Sequence, residues 1–346
     1  MEETLRYGGT GRSGSNSTVV YRIRTLKFDD AYIAKAHHQP VEPGKAGLRE
    51  IRGILKRNRG VMLKTNIIGS DFSFLKYGSG DLVFKIEPMV FYKSLSIKDN
   101  ALLSVIFPLN DFVTSGTWPN LAMIDFERPN GAGNEFYDYV DRVLEILGER
   151  GIRVAAGHTG SYGNMGYGVA GTMALIGFNK PVFSFKRIRK DDSFYSVGIL
   201  GNELSFFQER QRGSSALPPL DLSVEVYISE FLKISRSVHF VHDMSEGGLS
   251  RALSEISEMS QSGFNVKSVD METVTSRSVR EYGPRIFSSS SSGSLVVSVD
   301  HERKKQFEKI AKDNSWPIFE IEKRARGVTL DGKRYDSEDS ILDFLQ

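Results

Sequence analysis

The chain has 346 residues, 40% hydrophobic and 25% charged, with a net charge of +2 and no cysteine. At roughly 150 residues per domain that length gives two domains, with an ordinary globular composition and core enough to fold without staples. The absent cysteines exclude disulfides, thiolate nucleophiles and thiolate-held metals, and the near-balanced charge gives no field aimed at nucleic acid or a membrane. No run reaches the roughly 18–20 apolar residues of a membrane span. The polar opening, MEETLRYGGTGRSGSNS, lacks the apolar core of a signal peptide, so a cytoplasmic protein is expected.

Residues 1–18 are rich in Gly and Ser and read as a flexible tail. They contain Gly9-Thr10-Gly11-Arg12-Ser13-Gly14, formally a dinucleotide-binding spacing, but no strand precedes it and no helix pattern follows. Leu48, Ile51, Ile54 and Leu55 recur at helical spacing and predict an amphipathic helix over 46–58. Strands are expected at Val61–Ile68 and Leu82–Met89, and a short apolar run, Leu102–Leu109, leads into Asn110-Asp111. A strand at Leu121–Phe126 precedes a helical stripe of Phe136, Tyr139, Val140, Val143, Leu144 and Leu147, punctuated by Gly148 and Gly151. Ile152–Ala156 reads as a strand delivering a loop, Gly157-His158-Thr159-Gly160, and Tyr167–Phe178 as a further strand.

Near residue 180 the organisation restarts. A proline-bearing loop is expected at Arg212–Pro219 and a helix over 222–235. His239–Val241 is a short strand running into His242-Asp243-Met244-Ser245-Glu246-Gly247-Gly248, after which Leu249, Ala252, Leu253, Ile256 and Met259 keep helical spacing. A serine run, Ser288–Ser292, precedes a strand at Leu295–Val299 and a helix near 302–313. The charge runs Lys186–Asp192 and Lys323–Arg326 read as solvated faces. Strands and helices alternate through both halves, which gives an α/β or α+β protein.

Three segments carry chemistry. Asp111 sits where an apolar run meets a turn, and a carboxylate there can hold Mg²⁺ alongside substrate phosphates, or simply cap the turn. Gly157-His158-Thr159 offers a close backbone approach, a hydroxyl and N–H groups suited to phosphate oxygens. Gly247 and Gly248 fall at a helix N-terminus, where free N–H groups and the dipole favour an anion, although acidic residues at such an end also stabilise the helix without any ligand.

Taken in order, these segments resemble the aminoimidazole ribonucleotide (AIR) synthase-like superfamily, and most of all its archaeal HypE-like, AIR synthase-related proteins. Gly69-Ser70-Asp71-Phe72-Ser73-Phe74-Leu75 is similar to the family's D-D-A-A-V-I metal loop, with Ser70 in place of the first Asp. Lys85-Ile86-Glu87-Pro88 is similar to its T-D-P segment, with Glu87 where an Asp would bind metal. Asn110-Asp111…Gly116…Pro119 matches N-D-x-x-x-x-G-x-x-P, Gly157-His158-Thr159 matches G-H-T, and His242–Leu249 matches H-D-x-[ST]-[ED]-G-G-L. Ser292–Val299 resembles the late S-S-G-x-L-x-x-x-V strand.

The resemblance implies a tail over 1–45, an ATP-binding domain over 46–180 whose sheet pairs with that of a second subunit, and a C-terminal α/β domain over 181–346. It implies a homodimer using ATP and Mg²⁺, with Asp71, Glu87, Asp111 and Asp243 as metal ligands. Asn110, Gly157, His158, Thr159, Gly247 and Gly248 would face ATP or its phosphates. The implied chemistry is activation of an acceptor oxygen on a small molecule by phosphoryl transfer, with no catalytic residue assigned and no role for nucleic acid or membrane. With no cysteine anywhere, and an ending of Asp343-Phe344-Leu345-Gln346, the cysteine-borne chemistries of HypE and selenophosphate synthetase are not expected. The losses at Ser70 and Glu87 leave a second reading open, an ATP-binding scaffold paralogue.

Overall fold

The computed structural model describes residues 60, 62–67, 69–162, 168–214 and 217–335. The glycine motif at 9–14 and the expected helix over 46–58 lie outside the described residues.

The first sheet is built from β1 (Ser73–Tyr77), β2 (Gly80–Phe91), β3 (Leu121–Glu127), β4 (Arg153–Gly160) and β5 (Gly168–Gly177), in the spatial order β1-β2-β5-β3-β4. Neighbours are antiparallel except β3 and β4, which run parallel. Parallel neighbours need a crossover, and the helix α2 (Glu135–Glu149) supplies it. Its predicted stripe is buried at Phe136, Tyr139, Val143 and Leu147. The helix α1 (Ile97–Val113) starts on a Ser96 cap that accepts the Asp99 N–H at 3.0 Å. It absorbs the apolar run Leu102–Leu109 and is buried nearly all round, because it packs both on β2 and β5 and against elements from beyond residue 219. A helix with no solvated face has no strong 3.6-residue polarity pattern, which is why its sequence shows a run and no stripe.

The second sheet comprises β6 (Ser193–Val197), β7 (Val238–Asp243), β8 (Gly263–Val266), β9 (Leu295–Val299), β10 (Ile318–Arg324) and β11 (Val328–Leu330), in the order β11-β8-β10-β6-β9-β7. All pairs are antiparallel except β8 with β11. Its helices are α3 (Asn202–Gln211), α4 (Glu225–Lys233), α5 (Gly248–Ser260), α6 (Ser268–Val274) and α7 (Lys304–Asp313). One buried cluster joins Phe112 and Val113 of α1 to Val197, Val241 and Val297 of the second sheet, so the two sheets share core. No helix among the described residues is long and apolar enough to cross a membrane.

Several expectations change. Within 61–68 the described residues form turns, not a strand. The Asn66 N–H turns back to Leu63 O at 2.9 Å, and the Thr65 hydroxyl engages both the N–H and the carbonyl of Phe74, a local closure that takes the place of a ladder. Strand β4 runs on through 157–160, so Gly157, His158 and Thr159 lie on a sheet edge and not in a loop. The charge run at 186–192 is not uniformly solvated: Asp192 is buried, accepting the Arg189 N–H (2.9 Å) and the Ser298 hydroxyl (2.6 Å) while facing His239 Nδ1 at 2.9 Å. The serine run is buried as well, with hydroxyls that reach both near and distant partners: Ser291 Oγ donates to Ser289 O and accepts from Gly201 N, and Ser292 Oγ donates to Glu203.

Candidate functional site

Strand β7 is buried along its whole length and ends by delivering His242 and Asp243 opposite Val296 and Leu295 of β9. The chain then turns through Gly247 and Gly248, both at positive φ (79° and 53°), into α5. A Cβ on Gly248 would lie 2.2 Å from the carbonyl oxygen of Ser289, so only glycine fits this turn. Two turns along α5, Glu255 is brought back to the ring of His242, with Nε2 and Oε2 3.2 Å apart, while its other oxygen accepts Arg251 Nε at 2.8 Å.

The loop ahead of β1 closes the site. Gly69 (φ 82°) sits so close to α5 that a Cβ would fall 2.6 Å from Cβ of Glu255. This approach carries Asp71 into the interior, where Oδ2 accepts the Asp243 N–H at 3.2 Å and Oδ1 lies 2.9 Å from His242 Nδ1. The Asp243 carboxylate is 3.6 Å from the same nitrogen. One donor atom from each of Asp71, His242 and Asp243 fits within a 4.8 Å span, and all three residues are buried. Ser70, standing where a first Asp was expected, hydrogen-bonds the Phe72 carbonyl at 2.6 Å.

Burial, the largest single effect, would depress the His242 imidazole, but the Asp71 charge together with the contacts to Asp243, Asp71 and Glu255 outweighs it and holds its pKa well above the ordinary value. Its contacts are nonetheless ion-pair approaches, since neither ring nitrogen has an aligned hydrogen-bond partner. Two carboxylates and an imidazole converging on one point fit a divalent cation.

Glu87 and Asp111, the other two expected metal ligands, form a separate group around Lys85 of β2. Its ammonium lies 2.6 Å from Glu87 and pairs closely with Asp111. Residues 85 and 87 share a face because strand side chains alternate with period two. Burial works against the Lys85 charge, but Asp111 and Glu87 more than offset it and push its pKa up. These carboxylates already carry an internal cation, which a metal would have to displace. Asn110 is a bracket between elements: its amide donates to Leu222 O (2.7 Å) and accepts from Val224 N (3.0 Å). His158 is exposed on β4, with Nε2 2.8 Å from the Tyr162 hydroxyl.

Thus the structure brings Asp71 and Asp243 together beside the Gly247–Gly248 turn, pairs Glu87 and Asp111 with Lys85, and places Gly157–Thr159 on the edge strand β4. Three residues absent from the expected ligand set belong to these groups. His242 was legible as the neighbour of Asp243, and Lys85 by its spacing from Glu87. Glu255 had no sequence signal, since it reads as one polar position of α5.

Comparison with known proteins agrees with this architecture. Residues 196–331 match the family described as AIR synthase related protein, C-terminal domain. The structure of the hydrogenase maturation protein HypE of E. coli superposes with a TM-score of 0.62 at 18% identity, covering 84% of this chain and 98% of that one. AaThiL complexed with AMPPCP and TMP gives 0.60 at 17% identity, covering 85% and 98%. HypE in complex with ATP gives 0.59 at 19% identity, covering 84% and 92%. No curated protein matches the chain by sequence. The chain thus carries, over residues 196–331, a domain of the family described as AIR synthase related protein, C-terminal domain, and its fold is similar to those of HypE and AaThiL.

Proposed function

We propose that the chain is an ATP- and Mg²⁺-dependent enzyme that activates an oxygen of a small acceptor by phosphoryl transfer. The observation that carries this reading is the buried meeting of Asp71 and Asp243 beside the glycine turn that opens α5. Similar folds have been captured with ATP and with AMPPCP, which supports a nucleotide ligand here. Magnesium would be held by Asp71 and Asp243, and what it supplies when bound is neutralisation of phosphate charge. The chain's own part is placement: the Gly247–Gly248 turn opens a helix N-terminus, where the dipole favours phosphate, and burial of the carboxylates excludes water. Positioning and charge neutralisation suffice for such transfer without a protein nucleophile.

The same reading proposes a break between domains near residue 180 and a homodimer formed through the first sheet. Its outer face carries Ile86, Ala174, Met123 and Ala156 in one register row across four strands, with Ile86 64% and Met123 44% exposed. Exposed apolar rows of this kind mark protein contacts.

The test is thermal melting with Mg-ATP. Nucleotide at 100 times Kd should add about 2.7 kcal/mol, Asp243→Asn should lose the shift, and acceptor-dependent ADP release should follow in the wild type. No shift with Mg-ATP sinks the reading. A second reading, a nucleotide-binding scaffold without turnover, is favoured by the Lys85 pairing, which ties up Glu87 and Asp111; a shift without ADP release for any acceptor supports it.

A further inference from the structure

One acidic residue interrupts the apolar outer face of the first sheet. Ala122, Ile124 and Phe126 of β3 face the core, so Asp125 points outward with Met123. It stands in register with Thr172 of β5 on one side and His158 of β4 on the other. Its Oδ1 is buried and has no hydrogen-bond partner among the described residues. A buried carboxylate oxygen left unpaired is costly, and such groups are nearly always satisfied. His158 shows the converse. Its ring is exposed on the edge strand, with Nε2 2.8 Å from the Tyr162 hydroxyl. When that hydroxyl donates, the ring proton sits on Nδ1, which has no acceptor among the described residues. Asp125 and His158 lie side by side on parallel strands, yet no hydrogen bond or ion pair joins them within the chain.

An acceptor without a donor and a donor without an acceptor therefore share one row of the exposed sheet face. A twofold contact is self-complementary: where one residue meets a second across the axis, the second meets the first on the other side. We propose that Asp125 of each copy accepts the imidazole N–H of His158 from the other copy, and that these two equivalent contacts set the register of the homodimer. The apolar rows supply contact area at many offsets, whereas a polar pair is satisfied at one offset only, as a single buried polar residue fixes register in coiled coils. The inference rests on the dimer through the first sheet proposed above, and not on nucleotide or metal binding.

The experiment uses the full chain, with dimer dissociation read by analytical ultracentrifugation. Asp125→Lys turns a donor toward the imidazole N–H, and His158→Glu turns a carboxylate toward a carboxylate. Each variant alone should weaken the dimer at least about tenfold, because like groups then face each other twice. Mixed, the two variants meet with opposite charges at one contact and the native pair at the other. The mixture should therefore recover most of the lost affinity, with heterodimers outnumbering both homodimers in native mass spectrometry after ¹⁵N-labelling of one variant. A pair formed within one chain gains nothing from mixing. Asp125→Leu decides where a charged variant fails to fold: it weakens the dimer if the carboxylate is paired across the axis, and tightens it if the carboxylate is buried alone. Variants that dimerise like wild type, a mixture no tighter than its components, or a tighter dimer in Asp125→Leu overturns the inference. A dimer indifferent to both positions but broken by Ile86→Lys with Met123→Lys defeats this inference alone, and a monomeric wild type defeats the dimer reading with it.

Discussion

Lys85 lies at the centre of the second charged group, and its removal gives the sharpest test of how that group is balanced. In Lys85→Met the aliphatic stem is retained and the ammonium is lost, leaving Glu87 and Asp111 with no cation between them. The side chains of Lys85 and Asp111 are 12% and 8% exposed, while Glu87 keeps 28%. Breaking a buried pair costs about 3–5 kcal/mol, and the partial exposure of Glu87 argues for the lower end, about 3 kcal/mol. Unfolding entropy near 2.1 cal/mol/K per residue over about 300 residues converts this into a melting shift of roughly 5 °C. The pH dependence follows from the direction of the pKa shift. The folded-state pKa of Lys85 lies above its ordinary 10.5, so the stabilisation is fully present below that value and is lost only as pH climbs through the folded value. Wild type should therefore show no loss from this group between about pH 6 and 9, a window that lies wholly below the ordinary lysine range. In Lys85→Met, two like charges raise the pKa of one carboxylate, so the variant should regain stability as pH falls toward about 5, the upper edge of carboxylate titration. Calorimetric melting in metal-free buffer reads all of this. A loss below about 1 kcal/mol at neutral pH would refute the assignment of Lys85 as counter-ion to both carboxylates. Repeating the melts with MgCl₂ adds a further reading, because a dication that rescues the variant but not the wild type shows that the lysine occupies a cation's place.

The remaining predictions concern the walls of the site and the free sheet face. Gly69→Ala forces a Cβ into Glu255 at a left-handed φ and should cost about 1–3 kcal/mol in thermal melting, with a smaller shift on adding Mg-ATP; an unchanged melt would show that the loop can move away. Ile86→Lys with Met123→Lys places two charges in the apolar row and should convert a dimer to a monomer in analytical ultracentrifugation without lowering the melting temperature of the monomer; a dimer that persists rules out this face. Asp192→Asn should cost about 3 kcal/mol, since the carboxylate is buried against His239 and accepts from Ser298 and Arg189. A loss within about 0.5 kcal/mol in urea denaturation would show that the buried contacts of this carboxylate add little to stability.

The sequence alone settled the elements whose periodicity is set by one wet and one dry face. The α2 stripe and the start of α5 were legible because each helix has a solvated side. Strands β2, β3, β5, β7 and β9 were legible as short apolar runs bounded by turn residues. Helix α1 was not legible as a helix, because packing on both sides erases the pattern that marks one. Strands β8, β10 and β11 are brief or charged and exist only through pairing with one another and with β6. The site divides in the same way. Asp71, Asp111, Asp243 and the Gly247–Gly248 turn could be read in order along the chain, since glycine and acidic turn chemistry is local. Which carboxylates meet is a three-dimensional matter. Only the folded chain puts Asp71 against Asp243 across 172 residues, gives Asp111 and Glu87 to Lys85, and sets Glu255 behind the ring of His242. Charges find their partners through space, and no spacing along the chain records that choice.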